Sequence, residues 1–279
     1  MTQVTIYTPN GRGMGSTAMR FVRDIYVHRH LIWSLFARDF RAQFKQNLLG
    51  YAWAILTPLL GVFSFIFMNY AGILNPGPLE VPYPVYAFVG TSLWSFLTST
   101  VAVMGNGLRS QSDLIMRTNV PKIALAASSL ATIGYSVSIN LLMIGVMLAV
   151  FHIPIGWNTL AFLPLILPIV LLGVGIGLAT SVIAIIVKDA VSIVTQSLGI
   201  LMFLTPVVYV AKNIKGRLIY KLMMDNPLTY LVEVPRSILF GQGTDYWPQF
   251  IGVTLLSLVV LLAGAKIFEI VQDLVAERL

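Results

Sequence analysis

From His30 onward the chain is written in long apolar stretches separated by short polar breaks. Between His30 and Leu48, the residues Ile32, Phe36, Phe40, Phe44 and Leu48 recur every four positions, with Trp33 and Ala37 beside them. Arg38, Arg41 and Lys45 collect on the other side. That period is one face of a helix. A basic polar face opposite an aromatic one predicts a helix lying in the membrane interface. A core helix of a small soluble domain is the alternative, and the apolar run that follows within a few residues argues against it.

A helix needs about 20 apolar residues to cross the hydrocarbon. Six spans are expected, at about 51–74, 84–108, 123–151, 159–187, 190–211 and 249–267. Thr57-Pro58 sits near the start of the first, and Asn75-Pro76-Gly77-Pro78 closes it as a breaker cluster. The apolar run from Thr159 to Ala211 is too long for one helix, and Lys188-Asp189 is its natural turn. The segment 212–248 holds two apolar pieces, Leu218–Met224 and Leu228–Phe240, divided by Asn226-Pro227. Two short helices that dip into the membrane and return would fit, because such backbone is tolerated where it packs on protein or water. A helix pair lying on the surface fits the pattern equally well. The expected fold is therefore an all-α integral membrane protein. A cytosolic arm (1–29) and the interfacial helix (30–48) precede a six-span permease domain (49–270), and a cytosolic tail (271–279) ends the chain.

Composition agrees. Of 279 residues 57% are hydrophobic and 10% charged, with a mean hydropathy of +0.83, where soluble domains carry roughly a quarter charged residues. No cysteine occurs, which removes disulfides, thiolate nucleophiles and cysteine-held metals. The first 30 residues lack the apolar core of a cleavable leader, so the first span is expected to direct insertion. Thirteen of the 18 Lys and Arg residues fall on the side that carries the N-terminus. Basic residues gather on the cytoplasmic side, which places both termini in the cytoplasm. The five others, Lys212, Lys215, Arg217, Lys221 and Arg236, stand against that rule.

The chemistry is limited by what the spans lack. All 11 carboxylates lie outside the spans or at their ends, whereas proton- and ion-coupled transport uses intramembrane acids. Paired carboxylates for metal-assisted prenyl or phosphoryl chemistry are missing. Glu269, Asp273 and Glu277 have the spacing of a solvated helix face, and His28, His30 and His152 are too dispersed to hold a metal. No G-x-x-x-x-G-K-[ST] phosphate loop occurs, so ATP hydrolysis would need another subunit. Phe63, Phe67 and Tyr70 share a face of the first span, while Tyr83, Tyr86, Trp94 and Phe96 populate the second. An aromatic belt at the membrane interface explains them, and so does a pore wall on which sugar rings stack. Gly173, Gly175 and Gly177, followed by Ser181, point to close helix packing.

Several short matches follow one another in order. They are Phe36-Ala-Arg-Asp-Phe40, Leu49-Gly-Tyr-Ala-Trp53, Thr57-Pro-Leu59 and Gly90-Thr-Ser-Leu-Trp-Ser-Phe96. Asn119-Val-Pro-Lys122, Val187-Lys-Asp189, Thr205-Pro-Val-Val-Tyr209, and Asn226-Pro227 with Arg236 complete the set. It resembles the permeases of type-2 ABC exporters for polysaccharides, the Wzm-like family of O-antigen, capsule and teichoic acid export. Lys188 stands where that family has Arg. The resemblance implies a homodimer in the bacterial inner membrane, with two cytosolic ATPases that bind ATP and magnesium while this chain binds no cofactor. Its cargo would be a lipid-linked glycan, and nucleic acid has no part. It further implies ATPase coupling through Asp113, Leu114, Arg117, Asn119, Pro121 and Lys122, with Lys188 and Asp189, and makes 212–248 a re-entrant pair. Arg38, Arg41 and Lys45 would meet a headgroup or diphosphate, or ordinary anionic lipid. Phe63, Phe67, Tyr70, Tyr86, Trp94 and Tyr209 would line the pore. A type-2 permease for a drug or simple lipid, and a polyprenyl-using membrane transferase, are the competing readings.

Overall fold

The computed structural model describes residues 27, 29–45, 52–110, 122–211 and 216–278. Ten helices account for most of them, with no strand among the described residues. In chain order they are α1 (Arg29–Lys45), α2 (Trp53–Tyr70), α3 (Tyr83–Ser110), α4 (Lys122–Val150), α5 (Trp157–Leu165), α6 (Leu167–Ile186), α7 (Ala190–Leu204), α8 (Arg217–Asp225), α9 (Pro227–Leu239) and α10 (Trp247–Arg278). Five segments are long and apolar enough to cross a membrane: Trp53–Tyr70, Tyr83–Gly107, Ala127–Val150, Trp157–Ile186 and Trp247–Ile270.

Local chemistry explains where the helices stop. α2 ends short of Leu74 because Gly72 takes φ +73°, and Ile73 and Leu74 then donate back to the Met68 carbonyl, a left-handed helix stop that glycine permits without strain. The fourth expected span is two helices with a break at Ile166, since Pro168 removes a donor and its ring opposes the carbonyl one turn earlier. The fifth is shorter than expected. α7 has 15 residues, and it ends at Thr205, which Pro206 forces into extended geometry (φ −107°, ψ 135°). α10 runs well past Ile267, because nothing in the tail breaks it, and Glu269 pairs with Lys266 at 2.8 Å.

α6 forms the spine, packed between α3 and α10. Glycines set the separation. A Cβ on Gly177 would lie 2.5 Å from Met104 Cβ of α3, and one on Gly175 would lie 2.6 Å from Leu261 N of α10. A Cβ on Gly264 of α10 would strike the Gly175 carbonyl oxygen. The glycine run expected to bring helices together thus serves two opposite faces. Phe88, Phe96, Leu97, Phe162, Ile169 and Leu231 fill the core around it. α1 lies against α4, where Phe40 meets Tyr135 edge-on with ring centroids 4.6 Å apart. Leu35, outside the four-residue stripe, is the most buried of its described side chains (6% exposed). α2 is the opposite case. Val62 is its one buried residue, and it touches only α3 and α4 appreciably.

Candidate functional site

The loops that precede α3 and α10 meet at one end of the bundle, here the far end; Arg109 and the α6–α7 link lie at the near end. The far end is built on the departure of the chain from helical geometry after α7. Non-helical backbone among apolar helices leaves carbonyls without partners, and each one costs free energy if it stays bare. Arg236 of α9 answers two of them: Nη2 donates to the Pro206 carbonyl at 2.8 Å and Nη1 to the Val207 carbonyl at 2.7 Å. Tyr86 Oη donates to a third, that of Tyr209, at 3.2 Å. Tyr209 Oη turns back to the Phe203 carbonyl at 2.6 Å and lies 3.8 Å from Met223 Sδ.

The guanidinium is almost wholly buried (1% exposed), so its charge must be met. Glu233, one turn earlier on α9, pairs with Nη2 at 2.9 Å. The Tyr86 ring centroid lies 4.0 Å from Arg236 Cζ, a cation–π contact strengthened by exclusion of water. Phe240 stacks on the same tyrosine at 6.5 Å. Gly90 lets the groups meet, since a Cβ there would fall on the Val207 carbonyl oxygen. The α3 span and the turn after α7 therefore touch backbone to backbone.

The break between α8 and α9 is equally well satisfied. Asn226 caps α9, accepting from Leu228 N at 3.0 Å, and Pro227 follows as the first helical residue, where its missing donor costs nothing. Asn226 Nδ2 donates to Thr205 Oγ1 at 2.9 Å, fixing the break to the end of α7. Thr229 and Tyr230 hydroxyls donate to the Met223 and Met224 carbonyls, each at 2.6 Å. Nearer the tips, Gln242 reaches Glu80 at 3.0 Å and Val210 N reaches the Pro76 carbonyl at 3.2 Å.

At the near end Arg109, in the last turn of α3, donates Nη1 to the Lys188 carbonyl at 2.8 Å. Lys188 and Asp189 are exposed there, and Lys122 begins α4. Asp113, Leu114, Arg117, Asn119 and Pro121 lie outside the described residues. Arg38 and Arg41 are exposed on α1, and Lys45 is its final residue. Among the aromatic residues, Phe63 (62%), Phe67 (59%) and Tyr70 (92%) are exposed on α2, Tyr209 is half-buried, and Tyr86 and Trp94 are core residues. No cluster of three or more His, Asp or Glu that could hold a metal occurs among the described residues. The sequence did not reveal the tasks of Arg236 and Arg109. Two signals were present: a lone arginine three residues after a glutamate in an apolar segment, and a basic residue in the last turn of a long apolar helix.

Among the described residues the chain is a helical bundle with five segments able to span a membrane, one of them broken, and that defines the class as an integral membrane protein. The family model described as ABC-2 type transporter matches residues 30–240, and the chain belongs to that family. It is similar to the O-antigen export system permease protein RfbA of Myxococcus xanthus, 24% identical over 264 residues that cover 94% of this chain and all of the relative. RfbA of Klebsiella pneumoniae is 21% identical over 87% of this chain and 92% of its own length. The polysialic acid transport protein KpsM of Escherichia coli is 25% identical over 82% and 91%.

Proposed function

We propose that this chain is the membrane permease of an ATP-driven exporter that carries a lipid-linked polysaccharide, of O-antigen or capsule type, out across the bacterial inner membrane. The observation that carries the reading is the full-length likeness to relatives named for O-antigen and polysialic acid export. The chain itself is a transport subunit, and ATP is hydrolysed in a cytosolic partner of which two copies serve a homodimer. Both termini are cytoplasmic, so the far end faces outward.

Six crossings fit this placement. α7 rises about 22 Å at 1.5 Å per residue, short of the ~30 Å hydrocarbon, and the turn and bend residues after Thr205 complete the passage. The pair α8–α9 is a re-entrant hairpin whose tip is Asn226-Pro227, supported by the Asn226–Thr205 bond and by Arg236 sealing the carbonyls it meets. α1 lies in the inner interface, presenting Arg38, Arg41 and Lys45 to anionic headgroups or the carrier diphosphate. The open aromatic face of α2, with Phe63, Phe67 and Tyr70, lines the path, Tyr209 stands at its outer end, and Tyr86 and Trp94 support it from the core. Residues 113–122 with Lys188 and Asp189 meet the ATPase.

A deletion strain tests the reading. Surface polysaccharide should vanish, with lipid-linked chains accumulating inside, and this gene together with its ATPase should restore export. Normal surface polysaccharide in the deletion would end the proposal. A drug or simple-lipid permease would instead change resistance or lipid composition.

A further inference from the structure

α7 is seized at both ends by arginines that belong to other elements. At the near end Arg109 of α3 donates to the Lys188 carbonyl in the link that starts α7. At the far end Arg236 of α9 holds the Pro206 and Val207 carbonyls, and Asn226 holds Thr205. Between those points α7 is a single unbroken helix. It packs on α3 and α6 while Ile193, Ile200 and Phe203 stay exposed. One turn from Arg109 the two helices pack tightly, since a Cβ on Gly105 would lie 3.1 Å from Val191 Cγ2. Packing and one charged hydrogen bond therefore both tie the start of α7 to the last turns of α3.

We propose that Arg109 is a positioning residue that makes α7 a connecting rod. A movement imposed on the inner end of α3 is passed through the Lys188 carbonyl to α7, and α7 delivers it to the hairpin α8–α9, beside the direct contact that Tyr86 of α3 makes with Arg236. A helix is stiff along its axis, whereas the break at Ile166 lets the outer part of the fourth span, α5, move with the hairpin on which it packs. α6 stays clamped between α3 and α10 by its glycines. The rod rests on the exporter reading, in that a partner ATPase supplies the movement at the inner face. Coupling carried by a physical element with two arrangements is what distinguishes transmission from mere contact.

The absence of cysteine makes the test direct. Leu222 is exposed on α8 (48%), and Leu222→Cys places the chain's single thiol on the hairpin. The chain and its ATPase are reconstituted in lipid nanodiscs, where both faces are accessible. Labelling of this chain's band by a maleimide is then timed with and without Mg-ATP. The expected labelling rate changes about fivefold on adding nucleotide, at the low end of couplings between distant sites. With Arg109→Met, which has no donor, the complex assembles and hydrolyses ATP, because Arg109 is not among the residues given to the ATPase contact, but that response falls. Arg109→Lys keeps a donor and restores part of it. A full response in Arg109→Met overturns the rod, and no restoration by Arg109→Lys overturns its assignment to the hydrogen bond. A complex that exports and hydrolyses ATP while the reporter ignores nucleotide overturns the rod alone. Failure to form any ATPase complex overturns the exporter reading and the rod with it.

Discussion

Arg236→Met removes the cation that holds the far end together while keeping much of its volume. Two carbonyls, those of Pro206 and Val207, lose charged donors at 2.8 and 2.7 Å, and hydrogen bonds to charged groups contribute about 1.5–3 kcal/mol each. Tyr86 loses a cation at 4.0 Å, roughly 2 kcal/mol when water is excluded. These contributions share one side chain and do not add. Breaking a buried pair by deleting one partner costs about 3–5 kcal/mol in total. Glu233 is 17% exposed and can turn partly to solvent, which favours the lower end, about 3 kcal/mol. For a chain of this size that corresponds to a fall of roughly 6–12 °C in Tm, read by fluorescence-detected melting of detergent-purified protein. Arg236→Lys should fall between, because one ammonium lacks the planar fork that spans two carbonyls. Glu233→Gln should cost less, since Arg236 keeps both carbonyls. A Tm for Arg236→Met within about 2 °C of the parent would refute the reasoning, because at that scaling the buried cation would then contribute under about 1 kcal/mol.

Gly90→Ala should lower Tm at least as far as a typical overpacked core, about 1–3 kcal/mol, because the new methyl meets the Val207 carbonyl, which is backbone and cannot rotate away. Gly264→Ala tests the spine in the same way against the Gly175 carbonyl. Melting unchanged by either substitution would show that the helices separate without penalty. Gly61 on α2 has no atom of the described chain near its Cβ position, so Gly61→Ala should be neutral or stabilising by up to about 1 kcal/mol in a dissociated subunit. Destabilisation confined to the dimer would place the second copy there. Phe67→Ala should leave Tm within the ~0.5 kcal/mol scatter of surface changes while reducing polysaccharide export, measured on the cell surface. Full export would return the exposed α2 aromatics to lipid contact.

Much of the architecture could be read in one dimension because the bilayer simplifies the problem. Apolar length and punctuation located five of the spans to within a few residues, and the glycine run at 173–177 announced close packing. The proline at 227 marked the break between α8 and α9. The local geometry within two expected spans was not legible. Pro168 breaks the helix of the fourth, because a proline inside an apolar run removes a donor even where hydropathy never falls. Pro206 ends the helix of the fifth early, and hydropathy cannot distinguish an apolar helix from apolar turns. The candidate site was less legible. Thr205, Asn226 and Arg236 were visible as marks of resemblance, yet nothing in their spacing showed that they converge on one another.

By itself the sequence determined that this chain is a bundle of membrane helices, nearly free of internal charge and without a phosphate loop of its own. Those properties follow from composition and period, which the hydrocarbon reads directly. Only the tertiary structure decided why an arginine stands in an apolar segment. The carbonyls of Pro206 and Val207 are bared by a proline 30 residues earlier in the chain, and only folding brings the two together. The same holds at the near end, where Arg109 and Lys188 are 79 residues apart. Unsatisfied backbone is a local consequence of sequence, but the group that satisfies it is chosen by packing.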